Sequence, residues 1–485
     1  MLGFTHAVRD ILPNMSHNSS QFPQRARAMP HAAVADIDAR DRSGAASRIW
    51  HAALYVLLVL TFVTGGSSQE HGWTDVAAEL LALPILLVGF MRWSSLPRSH
   101  VCMLGVMAIT AIALLPWLQL LPLGQDAWSF AYARDALASD LAVAGVDSPV
   151  TTWSLAPAAT LRGALMVLPA LALFVGVLGV DTRTQRRLLV VCVALPLASL
   201  LLGFLQLGAS QDSLLNPYPQ WAPAMNGLFA NPNHQGTAML VGLAVCLSFA
   251  VGTFGTRDGD TGRALNPWPA VIAGAFLLFG LPLTNSRAAA VIGVLLLIAA
   301  PLLMAGTALR RSGHGRHSGA LLLLAAVIAA IGLYAAMGWM KVDEIEEVRW
   351  LMRQATAAQA ATHLPWGSGI GSFVAVFQQA LPDALVMPNY VNAAHNDFAQ
   401  VWLEAGLAGF VVAALVLVAV ASAFVDRFRG EGDNRRILWA ALLGLIALLA
   451  HSFADYPLRT PALLAVAMLL AGIIFAQHHN IEPHR

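Results

Sequence analysis

The feature that most restricts this chain is the recurrence of long apolar runs between residues 50 and 477, many of them near the length of a membrane span. A helix needs roughly 20 apolar residues to cross the hydrocarbon core of a bilayer. In lipid the backbone must satisfy its own hydrogen bonds, which leaves helices or a closed barrel. The runs show no strand-like alternation and are too long for barrel strands. Charged residues make up only 11% of the chain, against about 25% in a soluble protein, so a water-facing surface of this size is excluded. The expected fold class is all-α: a polytopic membrane protein.

Twelve spans are predicted, near 50–66, 74–91, 101–122, 157–180, 187–207, 235–254, 268–286, 288–309, 319–340, 402–425, 437–454 and 461–477. The arginines orient them. With the N-terminus inside, 21 of the 28 basic residues fall on the inner side, and every inner loop carries at least two arginines. This is the positive-inside pattern. It places both termini in the cytoplasm and the protein in a bacterial inner membrane. Residues 1–48 hold six arginines and no apolar stretch of the signal-peptide kind, so they are predicted to be a disordered cytoplasmic tail. Residues 49–477 form the membrane domain and 478–485 a second tail, whose His478, His479 and His484 are expected to be solvated. The longest outer connection, 341–401, carries tryptophans and a glycine-rich turn and is expected to form short helices over the outer face. Cys102, Cys192 and Cys246 have neither metal nor disulfide spacing. No Walker loop is present and no Asp-x-Asp pair lies on the predicted outer side, so neither a metal nor another cofactor is expected. A net charge of +1 gives no reason to expect nucleic acid.

Four polar clusters, far apart in sequence, map to the outer ends of these spans. Arg287 lies in Thr284-Asn285-Ser286-Arg287 between two apolar runs with almost no loop between them. An ionisable group at that depth is costly and suggests a function, and a guanidinium fork matches phosphate oxygens. Asn231 and Asn233 flank Pro232 in Gly227–Gly236, a turn followed by a helix start. His395 and Asn396 stand in Ala394-His395-Asn396-Asp397, ahead of Glu404-Ala405-Gly406. An imidazole there suits general-base chemistry near neutral pH. His451 to Arg459 adds a carboxylate and a second guanidinium on the same side. Arg287, Arg349, Arg353 and Arg459 make the outer excess basic, which favours an anionic ligand.

In order and spacing, Gly227–Gly236, Ser286-Arg287, Gly367–Phe373 and Ala394–Asp397 through Gly406 resemble the O-antigen ligase/polymerase superfamily over about residues 150–475. Thr151–Pro157 and Asp455-Tyr456-Pro457-Leu458-Arg459 look like its exopolysaccharide and O-antigen polymerase branch. The resemblance implies metal-independent, inverting transfer from an undecaprenyl-diphosphate-linked glycan on the periplasmic face. The acceptor would be another lipid-linked glycan or lipid A–core. It implies that Arg287 holds the diphosphate, that His395 takes the acceptor proton or orients that hydroxyl for attack, and that Asn233 and Asn396 position these groups, with Asn231 a further substrate-binding candidate. Arg353 and Arg459 are candidates for further diphosphate contacts. The chain departs from the family where Ala288 and Ala289 follow Arg287 in place of a frequent glycine. The alternative is a multi-spanning carrier of the bicarbonate type. It calls for midplane charges and internal repeats, whereas the polar clusters here sit at one face.

Overall fold

A computed structural model describes residues 31–68, 72–93, 99–146, 151–219, 225–253, 265–308, 344–382, 391–427 and 433–476. The chain divides into two units at Ile49/Trp50. Of the first, only the helical residues 31–49 are described; the site considered below lies wholly in the second.

The described residues form helices α1 (His31–Thr64), α2 (Trp73–Met91), α3 (His100–Leu118), α4 (Gln125–Trp128), α5 (Tyr132–Val143), α6 (Pro157–Leu178), α7 (Thr182–Leu207) and α8 (Pro232–Thr253). After these come α9 (Trp268–Leu283), α10 (Arg287–Ala308), α11 (Glu344–Thr362), α12 (Phe373–Phe377), α13 (Asp397–Arg427), α14 (Asp433–His451) and α15 (Pro461–Phe475). No strand occurs among the described residues. Among the described residues, eight helices are long and apolar enough to cross a membrane, and α9 and α15 are shorter apolar helices. The chain is an all-α, multi-pass membrane protein. Eleven of the twelve expected spans coincide with a described helix; the ninth, 319–340, lies outside the described residues, as does the 478–485 tail. α1 is already helical from His31, inside the stretch expected as a tail. The outer connection contains the 19-residue helix α11 and the short helix α12.

Local chemistry sets the helix starts. Ser99 caps α3 by accepting from the Cys102 amide at 3.1 Å, and Asp181 caps α7 from the Thr184 amide at 2.9 Å. Pro157 and Pro461 open α6 and α15 at positions where no amide donor is needed. α8 is the centre of the bundle: 72% of its apolar window is buried, against 17–50% for the other long spans. It packs against α14, α9, α10 and α7, while α15 packs against α6. Such contact requires small residues. A Cβ on Gly236 of α8 would stand 2.8 Å from the Cβ of Ala289 on α10, so this glycine lets the α9–α10 turn seat directly on α8.

α13 carries a break inside its length. Gly406 has a left-handed backbone (φ 55°, ψ −140°), which a residue with a side chain adopts only at a cost. A Cβ there would lie 2.4 Å from the carbonyl of Pro365. The break is a designed junction: the glycine-rich turn docks in it, with the Ser368 and Gly369 amides donating to the carbonyls of Leu403 and Glu404 at 2.9 and 2.8 Å. The short stretch 397–405 is thereby separated from the membrane-length remainder and presents Asp397, Gln400 and Glu404 to the interior.

Candidate active site

The four sequence clusters meet around one turn, residues 451–459, between α14 and α15. Asp455 is its centre. Its carboxylate is fully buried, with Oδ1 3.0 Å from Nδ1 of His395 and Oδ2 accepting from Asn231 Nδ2 at 3.2 Å. The Tyr456 amide also donates to Oδ1 at 3.0 Å. Burial pushes the Asp455 carboxyl up, but the hydrogen bond and charge of His395, with further contributions from His234 and Arg349, outweigh it and hold the group below the usual carboxylate range. It is therefore ionised at neutral pH and fixes the His395 ring by its Nδ1 edge. The ring also meets Tyr456 edge-on, with centroids 4.9 Å apart. The His395 side chain remains 19% exposed, and among the described residues no hydrogen bond engages its Nε2. The arrangement is a carboxylate–imidazole pair with the second ring nitrogen open to a reactant.

Backbone geometry delivers these groups. His395 has φ 48° and Asn285 φ 59°, both left-handed, and each precedes a helix cap by one residue. Asn396 Oδ1 accepts from the Ala399 amide at 2.9 Å at the start of α13, and its Nδ2 donates to the Phe453 carbonyl at 2.9 Å. Ser286 Oγ accepts from the Ala289 amide at 3.4 Å at the start of α10. Asn231 Oδ1 accepts from the Asn233 amide at 2.9 Å at the start of α8. Three of the motif positions are thus helix caps, and the positive ends of α8, α10 and α13 are tied to the same turn. Such ends attract anions.

Each residue singled out in the sequence has a definite place. His395, Asn231 and Asn396 contact the 451–459 turn directly, and Asn233 follows through the α8 cap. Arg287 is the first residue of α10, partly buried, next to Ser286. Arg353 is partly buried on α11, one helical turn from Arg349, whose charge reaches Asp455. Arg459 is differently employed. Its Nη1 donates to Glu404 Oε2 at 2.6 Å and its Nε lies 3.6 Å from Asp397 Oδ1. Burial alone would lower its pKa; Glu404 and Asp397 overcome this and raise it. With both carboxylates buried, the guanidinium is held by the protein, which points to a structural use in place of the diphosphate contact considered from the sequence. Replacing Arg459 by alanine leaves two buried carboxylates uncompensated and is expected to cost about 3–5 kcal/mol. Thermal unfolding of the detergent-purified variant measures this, and a midpoint equal to wild type would contradict it.

Arg134, another outer arginine, is also structural. Fully buried, it donates through Nη2 to the Gly367 carbonyl at 2.7 Å and lies over the Trp128 ring, and burial lowers its pKa to about 10. Gln119 completes the clamp on the glycine-rich turn: it donates to the Glu404 carbonyl at 3.0 Å and accepts from the Ile370 amide at 2.8 Å. Sequence reasoning passed over Asp455, His451 and Tyr456 as individual site residues. Their signal was present as a polar run directly after the apolar stretch of α14.

Residues 272–414 match the family model described as O-Antigen ligase. Over this segment the chain is similar to that family. No curated protein matches the chain. The matched segment runs from α9 into α13 and so includes Arg287, Arg353, His395 and Asn396. Asn231 and Asp455, which complete the site, lie outside the matched residues. The matched family is described as a ligase, not as a carrier. Among the described residues no group of three or more His, Cys, Asp or Glu side chains is arranged to hold a metal.

Proposed function

We propose that this protein transfers or polymerises an undecaprenyl-diphosphate-linked glycan at the periplasmic face of the inner membrane. The observation that carries the proposal is the Asp455–His395 pair, with Nε2 open, joined by hydrogen bonds to the capped starts of α8 and α13 and, through the 451–459 turn, to that of α10, where Arg287 stands. The arginine distribution supports the reading that this end of the bundle faces outside.

Each group then has a role. The acceptor hydroxyl attacks the anomeric carbon of the donor sugar from the face opposite the diphosphate, inverting the configuration. As the new C–O bond forms, the bond from the anomeric carbon to the diphosphate oxygen breaks, and the lipid diphosphate leaves with its electron pair. Nε2 of His395 takes the hydroxyl proton while Asp455 balances the charge that develops on the ring. Arg287 and the neighbouring helix starts stabilise the negative charge growing on the leaving group. Arg349 and Arg353 on α11 extend the basic surface toward the donor. The acceptor hydroxyl belongs to another lipid-linked repeat unit in a polymerase and to lipid A–core in a ligase.

Since guanidinium and helix dipoles supply the positive charge, the reaction is expected to run without a metal. The test is release of undecaprenyl diphosphate from a lipid-linked donor by the protein in lipid nanodiscs, with and without a chelator. Equal rates are expected. Loss of rate with the chelator, restored by magnesium, would overturn the metal-free mechanism, and no transfer with any lipid-diphosphate donor would remove the functional reading.

A further inference from the structure

His451 is fully buried at the end of α14, and both of its ring nitrogens are engaged. Nδ1 lies 2.5 Å from Thr237 Oγ1 on α8, and Nε2 lies 3.3 Å from Ser286 Oγ at the start of α10. The Asn233 carbonyl, which can only accept, favours one direction for these hydrogen bonds. Thr237 spends its single hydroxyl proton on the Asn233 carbonyl, 3.0 Å away. It therefore accepts from His451 Nδ1–H. With the ring proton on Nδ1, Nε2 offers its lone pair to the Ser286 hydroxyl. The chain Ser286 to His451 to Thr237 to Asn233 runs one way across three helices. It starts at the residue before Arg287 and ends at the carbonyl of Asn233.

We propose that His451 is a positioning residue for Arg287. It pins the cap of α10 to α8 and so sets where the Arg287 guanidinium stands relative to the Asp455–His395 pair, four residues along the same turn. The assignment rests on the reading that Arg287 holds the donor diphosphate. Two features favour this over mere packing. A buried polar network of this kind is costly to leave partly satisfied, whereas an apolar residue would fill the space between α8, α10 and α14 more simply. The backbone of His451 also belongs to the catalytic turn, since its carbonyl accepts from the Ala454 and Asp455 amides at 2.9 and 3.0 Å. One residue thus ties the leaving-group side of the site to the proton-accepting side.

The experiment is a double-mutant cycle with undecaprenyl diphosphate as the binding probe and the full-length protein in nanodiscs. His451→Leu is expected to weaken binding about tenfold in the wild-type background and less than twofold when Arg287 is already alanine. Ser286→Ala removes only one oxygen and is expected to weaken binding in the same sense by about threefold; it carries the test if the His451→Leu protein does not fold. Equal losses in both backgrounds would assign His451 a general structural role and overturn the proposal. So would wild-type binding in both the leucine and the alanine variant. If Arg287→Ala itself binds the probe as wild type does, the donor reading of Arg287 fails, and this proposal fails with it.

Discussion

A His395→Ala protein is expected to insert and fold as wild type does and to transfer glycan about 10²–10⁴-fold more slowly, the range that a positioned general base contributes. Folding should survive because the ring is partly exposed and its main partner, Asp455, keeps hydrogen bonds from Asn231 and the Tyr456 amide. The rate should fall because no other described side chain presents an open basic nitrogen on Asp455. His234 and His451 are fully enclosed. The loss should appear in kcat with little change in the donor KM, since the imidazole acts on the acceptor hydroxyl. Turnover of a lipid-linked donor by the purified variant measures this. A rate within fivefold of wild type would show that the proton leaves by another route.

Arg287→Ala is expected to have an effect of similar size but different form. Its charge acts on the diphosphate in the ground state and more strongly as the leaving group separates, so donor KM should rise and kcat fall together. By analogy with the loss of one preorganised donor to a developing anion, the kcat part is about 10²–10³-fold. Arg287→Lys should recover charge without the two-pronged geometry and fall between the two. Membrane insertion should be unaffected, because Ser286 and not Arg287 caps α10. Full activity in the alanine variant, measured as above, would remove Arg287 from the site.

The spans were legible in the sequence because membrane crossing imposes a length and an apolarity that few other structures require. Eleven of the described helices lie where expected, while the directions read from the positive-inside count remain an expectation of the sequence. In the sequence Arg287 stands out between two apolar runs and His395 at the end of the long connection 341–401. What the sequence concealed was pairing. The partner of His395 is 60 residues away across a helix hairpin, and no local pattern marks Asp455 above Asp397, 58 residues before it. Arg459 shows the same limit from the other side. As an outer arginine next to a motif it resembled a ligand-binding group, yet Glu404 and Asp397 claim its guanidinium. The break at Gly406 was equally hidden, because an apolar stretch reads as one span whether or not a left-handed residue divides it. Asn231 and Asn396, both substrate-binding candidates from the sequence, each cap a helix with one side-chain atom and bond to the 451–459 turn with the other.

The most direct test of glycan transfer is the surface glycan profile of a strain lacking this gene, complemented with wild type or with His395→Ala. The expected result is loss of long-chain polysaccharide, restored by wild type and not by the variant. Single repeat units on the surface lipid would then mark a polymerase, and long chains left on the carrier a ligase. A profile unchanged by the deletion would contradict the account.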